Sequence, residues 1–201
     1  MKRYCVTINR QFGSLGRSIA KEISEILGIQ YYDRYIVEAT SKKLNIPIST
    51  ISMIEETRSK SSFSNVMSPL GNISTANQNK IFDIQRRIIL DLADKESCII
   101  VGRCSDFILK DYKDCLNIFT FAPKEARFKN CVNILNMKPA EAERMITKVD
   151  KARDSYYRCY AGYSNESTKQ RHIMIDSSLL GVHGTAQVLA EMIKKRFNLS
   201  T

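Results

Sequence analysis

None of the six cysteines stands in a C-x-x-C pair, and no apolar run approaches the about 18 residues that a membrane span needs. With no secretion signal in view, the first absence argues against a disulfide frame and a zinc site, and reduced thiols in a cytoplasm are expected. The stretch Met1 to Ile8 carries basic residues but too short an apolar run for a signal peptide, so it reads as a first strand. Only two histidines occur, His172 and His183, and neither has an acidic or cysteine partner at ligand spacing; surface or strand-edge roles are expected. Long blocks of like charge are missing too. The net charge of +10 is spread as short pairs such as Lys42-Lys43 and Arg86-Arg87, with no aromatic-basic signature of nucleic-acid binding. Charge therefore favours anionic ligands without choosing among them, and a nucleic-acid partner, which rests on net charge alone, is not expected.

What is present fits one globular domain over residues 1–201: apolar residues make up 43% and charged residues 26%, enough of each for a buried core and a soluble surface. There is no internal repeat and no linker. Val6-Thr7-Ile8 is a β-prone run, and Ile19, Ala20, Ile23, Ile26 and Leu27 follow at helical spacing, stopped by Gly28. Ile29 to Asp33 predicts a second strand, with helices from about Tyr35 to Leu44 and from Ile48 to Arg58. The Ser-, Asn-, Gly- and Pro-rich stretch from Ser59 to Asn79 is expected to be a mobile insert on the acceptor side. An amphipathic helix is marked by Ile81, Ile84, Ile88, Ile89 and Leu92. Strands are expected at Cys98 to Gly102, Leu116 to Phe121 and Ile173 to Asp176. A polar helical lid region spans about Pro139 to Asn165, and Val188 to Phe197 line a closing helix. Strands alternating with helices predict an α/β fold with a parallel sheet of about five strands.

Between the first strand and first helix lies Asn9-Arg10-Gln11-Phe12-Gly13-Ser14-Leu15-Gly16-Arg17-Ser18. A phosphate cradle needs inward-facing backbone N–H groups, glycines where a side chain would block the ligand, and a helix N-terminus behind. Gly13, Gly16 and the following helix meet these demands. Arg17 stands where a basic residue reaches the terminal phosphates, and Ser18 where a hydroxyl meets Mg²⁺. Gln11 replaces the first glycine of the usual pattern and Arg17 its lysine. A tight turn with no ligand is the plainer alternative.

The run Ile8 to Ser18 resembles the signature of the cytidylate-kinase-like family. Three later stretches agree in order: Leu27 to Asp33; Ile100-Val101-Gly102-Arg103 with Leu116 to Arg127; and Asp150 to Arg158. The resemblance implies a P-loop NTPase fold that binds ATP with Mg²⁺. Backbone groups of Gly13, Ser14, Leu15, Gly16 and Arg17 would hold the donor phosphates. Ser18 would meet the metal, with Asp33 on metal or acceptor. Arg103 would grip the acceptor phosphate, and Arg153 and Arg158 would close on the transferred group. Plainer roles stay open: Asp33 as a helix cap, Arg103 on the surface, and the last two arginines on a solvated helix face. Cys104 stands where the family of cytidylate kinases has an aspartate, with Asp106 two residues on. Ile146 takes the place of a lid arginine, and Val101 that of a metal-binding acid. The expectation is phosphoryl transfer to a nucleoside monophosphate, CMP first, or to a related small phosphate acceptor. The alternative is a nucleotide-binding sensor with little or no turnover. No membrane partner is expected, and a homo-oligomer is left open.

Overall fold

The computed structural model describes residues 3–51 and 75–199. Five strands, β1 (Cys5–Arg10), β2 (Gln30–Tyr32), β3 (Cys98–Val101), β4 (Cys115–Phe121) and β5 (Ile173–Asp176), form one sheet in the order β2-β3-β1-β4-β5. Every pairing is parallel, so β1 lies in the middle, between β3 and β4. The helices are α1 (Gly16–Leu27), α2 (Arg34–Leu44), α3 (Thr75–Lys95), α4 (Ser105–Ile108), α5 (Lys124–Asn133), α6 (Pro139–Tyr160) and α7 (Gly181–Phe197).

Successive side chains of a strand point to opposite faces, and a sheet covered on both faces needs apolar residues at every position. Val6, Ile8, Ile99, Val101, Leu116 and Ile118 face one side, where they pack on Ile19 and Ile23 of α1 and Leu189 and Ile193 of α7. Cys5, Cys98, Ile100 and Cys115 face the other, against Phe82, Ile88, Ile89 and Leu92 of α3. Each fully buried isoleucine contributes about 1.5–3 kcal/mol by leaving water. Cys98, Cys5 and Cys115 occupy one rung across three neighbouring strands. All six cysteines are free thiols, and only Cys159 is exposed. His172 holds the β4–β5 edge by accepting the Asn117 N–H at Nδ1, 2.8 Å away, and His183 pairs with Glu22 at the surface.

A smaller cluster sits beside the sheet. Cys131, Ala142 and Ile146 of α5 and α6 are buried with Phe128 and Val132, and Phe12 of the first loop packs onto them. Ile146 is therefore an anchor of the helix pair and not a vacant arginine position. Among the described residues no helix is long and apolar enough to cross a membrane.

Several boundaries move. Residues 75–79, expected in the insert, form the first turns of α3: Gly71 is the last glycine before them, and Asn77 to Asn79 cost a helix little once the apolar face of Ile81, Ile88 and Ile89 is docked. The rest of that insert and most of the helix from Ile48 to Arg58 lie outside the described residues; Ile48 to Ile51 is helical. α7 starts at Gly181, earlier than Val188, because Thr185, Ala186 and Leu189 already pack on the core.

Candidate active site

The loop after β1 is shaped by the sheet before any ligand is considered. The Gln11 N–H donates to the Thr120 carbonyl at 3.0 Å, continuing the β1–β4 ladder by one residue. The buried Ser14 hydroxyl lies 3.0 Å from the Gln11 carbonyl and 3.1 Å from Thr120 Oγ1, which locks the turn. Gly13 has φ +80°, and a Cβ there would lie 2.8 Å from the Arg127 carbonyl oxygen. A Cβ on Gly16 would collide with Thr120 Oγ1 and sit 2.8 Å from Arg10 Cβ. Both glycines are thus demanded by close backbone approach. Helix α1 then starts with Leu15 in the left-handed region at φ 58°, with no side-chain cap and no acid in its first turn. Its first N–H groups have no partner within the helix, so an anion there meets both free donors and the positive end of the dipole. Ser18 is exposed on this turn.

Gln11, in place of the first glycine, has a role of its own. Its amide donates to Glu166 at 2.7 Å and accepts the Ala122 N–H at 3.2 Å, tying the loop to β4 and to the segment after α6.

At the carboxyl end of the sheet, four guanidinium groups converge on Asp33. Arg103 Nη1 donates to Asp33 Oδ1 at 2.7 Å, and Arg17 Nε pairs with Oδ2. Asp33 opens α2 without any side-chain cap bond, so its carboxylate serves the arginines and not the helix. Arg103 is 12% exposed and is thus no surface residue. Burial pushes the Asp33 carboxyl up, but Arg103, Arg10 and Arg17 outweigh it and hold it below the usual carboxylate range. Arg10 ends β1, and burial together with Arg153, Arg103 and Arg17 holds its guanidinium well below the usual arginine value. Arg153 Nη1 donates to the Arg10 carbonyl at 3.0 Å, and burial, first of its causes, brings its pKa to about 10.

Arg10, Arg17, Arg103 and Arg153 line a cavity of about 310 Å³ whose walls include Phe12, Gly102, Tyr156 and Tyr157. Its position outside the carboxyl ends of β1 and β3 is where open α/β sheets take their ligands. Below it, buried Asp106 accepts from Tyr157 Oη at 2.6 Å and Asn9 Nδ2 at 3.2 Å and pairs with Arg171. Arg171 is itself sandwiched between Phe119 and Tyr157, with ring centres 5.2 and 5.3 Å away. Asp106 therefore holds the cavity floor rather than facing a ligand.

A second carboxylate fastens α5 and α6 to the loop. Asp150 Oδ1 accepts the Phe12 N–H at 2.7 Å, and Oδ2 accepts Arg127 Nη1 at 2.5 Å. Asn130 adds a bond of 2.9 Å to the Gly13 carbonyl. Arg158 is placed elsewhere: 64% exposed, it pairs with Asp154 one turn away and does not line the cavity. Arg10, Arg127 and Asp150 carry roles that the residue pattern left unassigned. For Arg10 the signal was there, since a charged residue closing a buried strand is as unusual there as at Arg103. Nothing in spacing joins Asp150 to Phe12.

The donor set fits a polyphosphate better than a protein-held metal. Both Asp33 oxygens are engaged by guanidinium groups, Val101 is apolar and buried, and no group of three metal-ligating side chains occurs among the described residues. Mg²⁺ commonly keeps its waters and binds through substrate phosphates, with one or two protein oxygens. Ser18 is the residue free to supply one.

A parallel five-stranded sheet whose central strand runs into a glycine-bearing loop and an uncapped helix is the fold of the P-loop kinases. Shikimate kinase from Bacteroides thetaiotaomicron shares it with a TM-score of 0.58 at 10% identity, over 95% of this chain and 98% of that one. A gluconokinase from Sinorhizobium meliloti 1021 does so with a TM-score of 0.54 at 12% identity, over 100% of both chains. An uncharacterized protein from Eubacterium ventriosum ATCC 27560 is more similar, with a TM-score of 0.72 and 22% identity over 96% of this chain and 99% of that one. The chain belongs to the cytidylate kinase-like family, whose model matches residues 5–179. No curated protein matches it in sequence. Family and fold are thus kinase-like.

Proposed function

We propose that this protein transfers the γ-phosphoryl group of ATP, supplied as its Mg²⁺ chelate, to a nucleoside monophosphate or a related small phosphate acceptor. The observation that carries the reading is the balance of charge at the cavity: among the described residues Arg10, Arg17, Arg103 and Arg153 gather about the carboxylates of Asp33 and Asp150. Such an excess of cations, with Arg10, Arg103 and Arg153 largely desolvated, is costly unless anions complete it. In this reading the N–H groups from Gly13 to Ser18 hold the donor phosphates at the positive end of α1. Arg17 turns from Asp33 to the terminal phosphates, while Arg103 and Arg153 flank the transferred group. Phosphoryl transfer is mainly positioning and charge neutralisation, so no strong base is required.

The expected result is slow ADP formation with ATP, Mg²⁺ and CMP or another monophosphate in a coupled assay. Arg17→Ala should lower kcat by roughly a hundredfold or more, the usual loss when a charged contact to the transferring group is removed. A second reading, a nucleotide sensor without turnover, is favoured by one observation: the Arg17 guanidinium pairs with Asp33. ATP binding by calorimetry, with no ADP formed from any monophosphate, would establish the sensor and reject the kinase.

A further inference from the structure

Arg10 belongs to the loop run but to none of the roles assigned above. It is the last residue of the central strand, and its guanidinium lies directly over Gly102, where any Cβ would collide with Nη1. Gly102, at φ +77°, thus makes room for Arg10 at the end of β3. Among the described residues this guanidinium has no hydrogen bond and no ion pair. The carboxylate of the cluster, Asp33, has its two oxygens on Arg103 and Arg17. Arg153 is held against Arg10 through the Arg10 carbonyl at 3.0 Å, and its own nearest carboxylate, Asp150, is 3.9 Å away and bonded more closely to Arg127. Two cations therefore lie side by side at the wall of a cavity, and among the described residues their carboxylates are shared: Arg153 has only the 3.9 Å contact to Asp150, and Arg10 has none of its own.

We propose that Arg10 and Arg153 form a receptor for the phosphate dianion of a small phosphomonoester, separate from the loop that takes the donor. A dianion between them neutralises both charges, and guanidinium groups offer paired N–H donors that match two phosphate oxygens. Met145, Val149 and Ala152 on α6, with Tyr156, provide the apolar wall for the organic part. A cavity of about 310 Å³ suits a compact ester and not a polymer. Arg153 is anchored by its bond to the Arg10 carbonyl, and the Arg10 guanidinium is packed over Gly102, whereas Arg17 is largely exposed. The inference deepens the proposed function by naming the residues that take the acceptor's phosphate, and its binding arm stands without turnover.

The test is calorimetric titration of the full chain with inorganic phosphate, without ATP and at fixed ionic strength. Arg10→Gln should weaken phosphate binding by about ten- to hundredfold, the loss expected for hydrogen bonds to a charged group. Arg17→Gln should weaken it less. Arg10→Gln should also raise the melting temperature of the anion-free protein, since a desolvated charge beside three like ones is removed. Arg153→Gln provides the same titration from the other side if the first variant does not fold. Phosphate affinity unchanged in both variants, or a larger loss in Arg17→Gln, overturns the proposal, as does a parent that binds no phosphate at millimolar concentration. Absent turnover with phosphate binding intact would reject the kinase reading and leave this site standing.

Discussion

Asp33 is the residue on which the cluster balances. It is buried and bonded on both oxygens, so replacing it with Asn leaves guanidinium groups facing one another without their shared counter-ion. Losing one partner of a buried ion pair costs about 3–5 kcal/mol; Arg17, 65% exposed, contributes little of that. The pH dependence follows from the direction of the shift. A carboxyl held below its usual value contributes stability that is complete above the unfolded-state pKa of about 3.9 and is lost as pH falls through the lower folded value. Thermal unfolding of Asp33→Asn should therefore show a deficit at pH 7 that narrows below about pH 4, where the unfolded parent takes up a proton that the folded carboxylate does not. A deficit that stays constant down to pH 2 would mean that the pairing does not stabilise the fold.

At the scale of elements, the β1–loop–α1 unit separates two reasons for a glycine. Gly28 caps α1 at φ +64° with nothing within 4 Å of a built Cβ, whereas Gly16 has no room at all. Gly28→Ala should cost about 1–2 kcal/mol, the strain of an L-residue in the left-handed region. Gly16→Ala should cost clearly more, measured by urea unfolding, because Thr120 and the Arg10 stem must move. Equal losses would show that the loop can shift to admit a methyl group. The same contrast explains what the residue pattern could reveal. β1, β5, α1 and α6 were legible because period and stop signals lie within each element. The short α4 was not, because its single turn is set by left-handed Arg103 and Cys104, at φ 55° and 52°, and no local signal marks them. Asp33 and Arg103 were picked out by their places at strand ends. Their pairing across 70 residues of chain, and the hold of Asp150 on Phe12, are products of the tertiary fold alone.

On the whole molecule, Arg10 and Arg17 of the loop run meet Arg103 and Arg153 from two distant segments at the carboxyl end of the sheet. No stretch of sequence carries that cluster, so it exists only once β1 has both neighbours. Here the strand order has a consequence in time. β1 is made before both of its neighbours and lies between them in the sheet, and its partners Cys98 and Cys115 follow far along the chain. An apolar strand with both edges bare must wait until β3 and β4 have both emerged, and pairing between such distant segments is slow. Pulse-labelled hydrogen exchange during refolding should accordingly find the amides of Val6 to Asn9 protected in the same phase as those of Ile99 to Val101 and Leu116 to Phe119. Earlier protection of β1 alone would contradict this. The arginines that crowd together in the finished protein thus spend synthesis far apart in solvent, and their mutual repulsion is felt only at the last step, when the folded sheet is already there to oppose it.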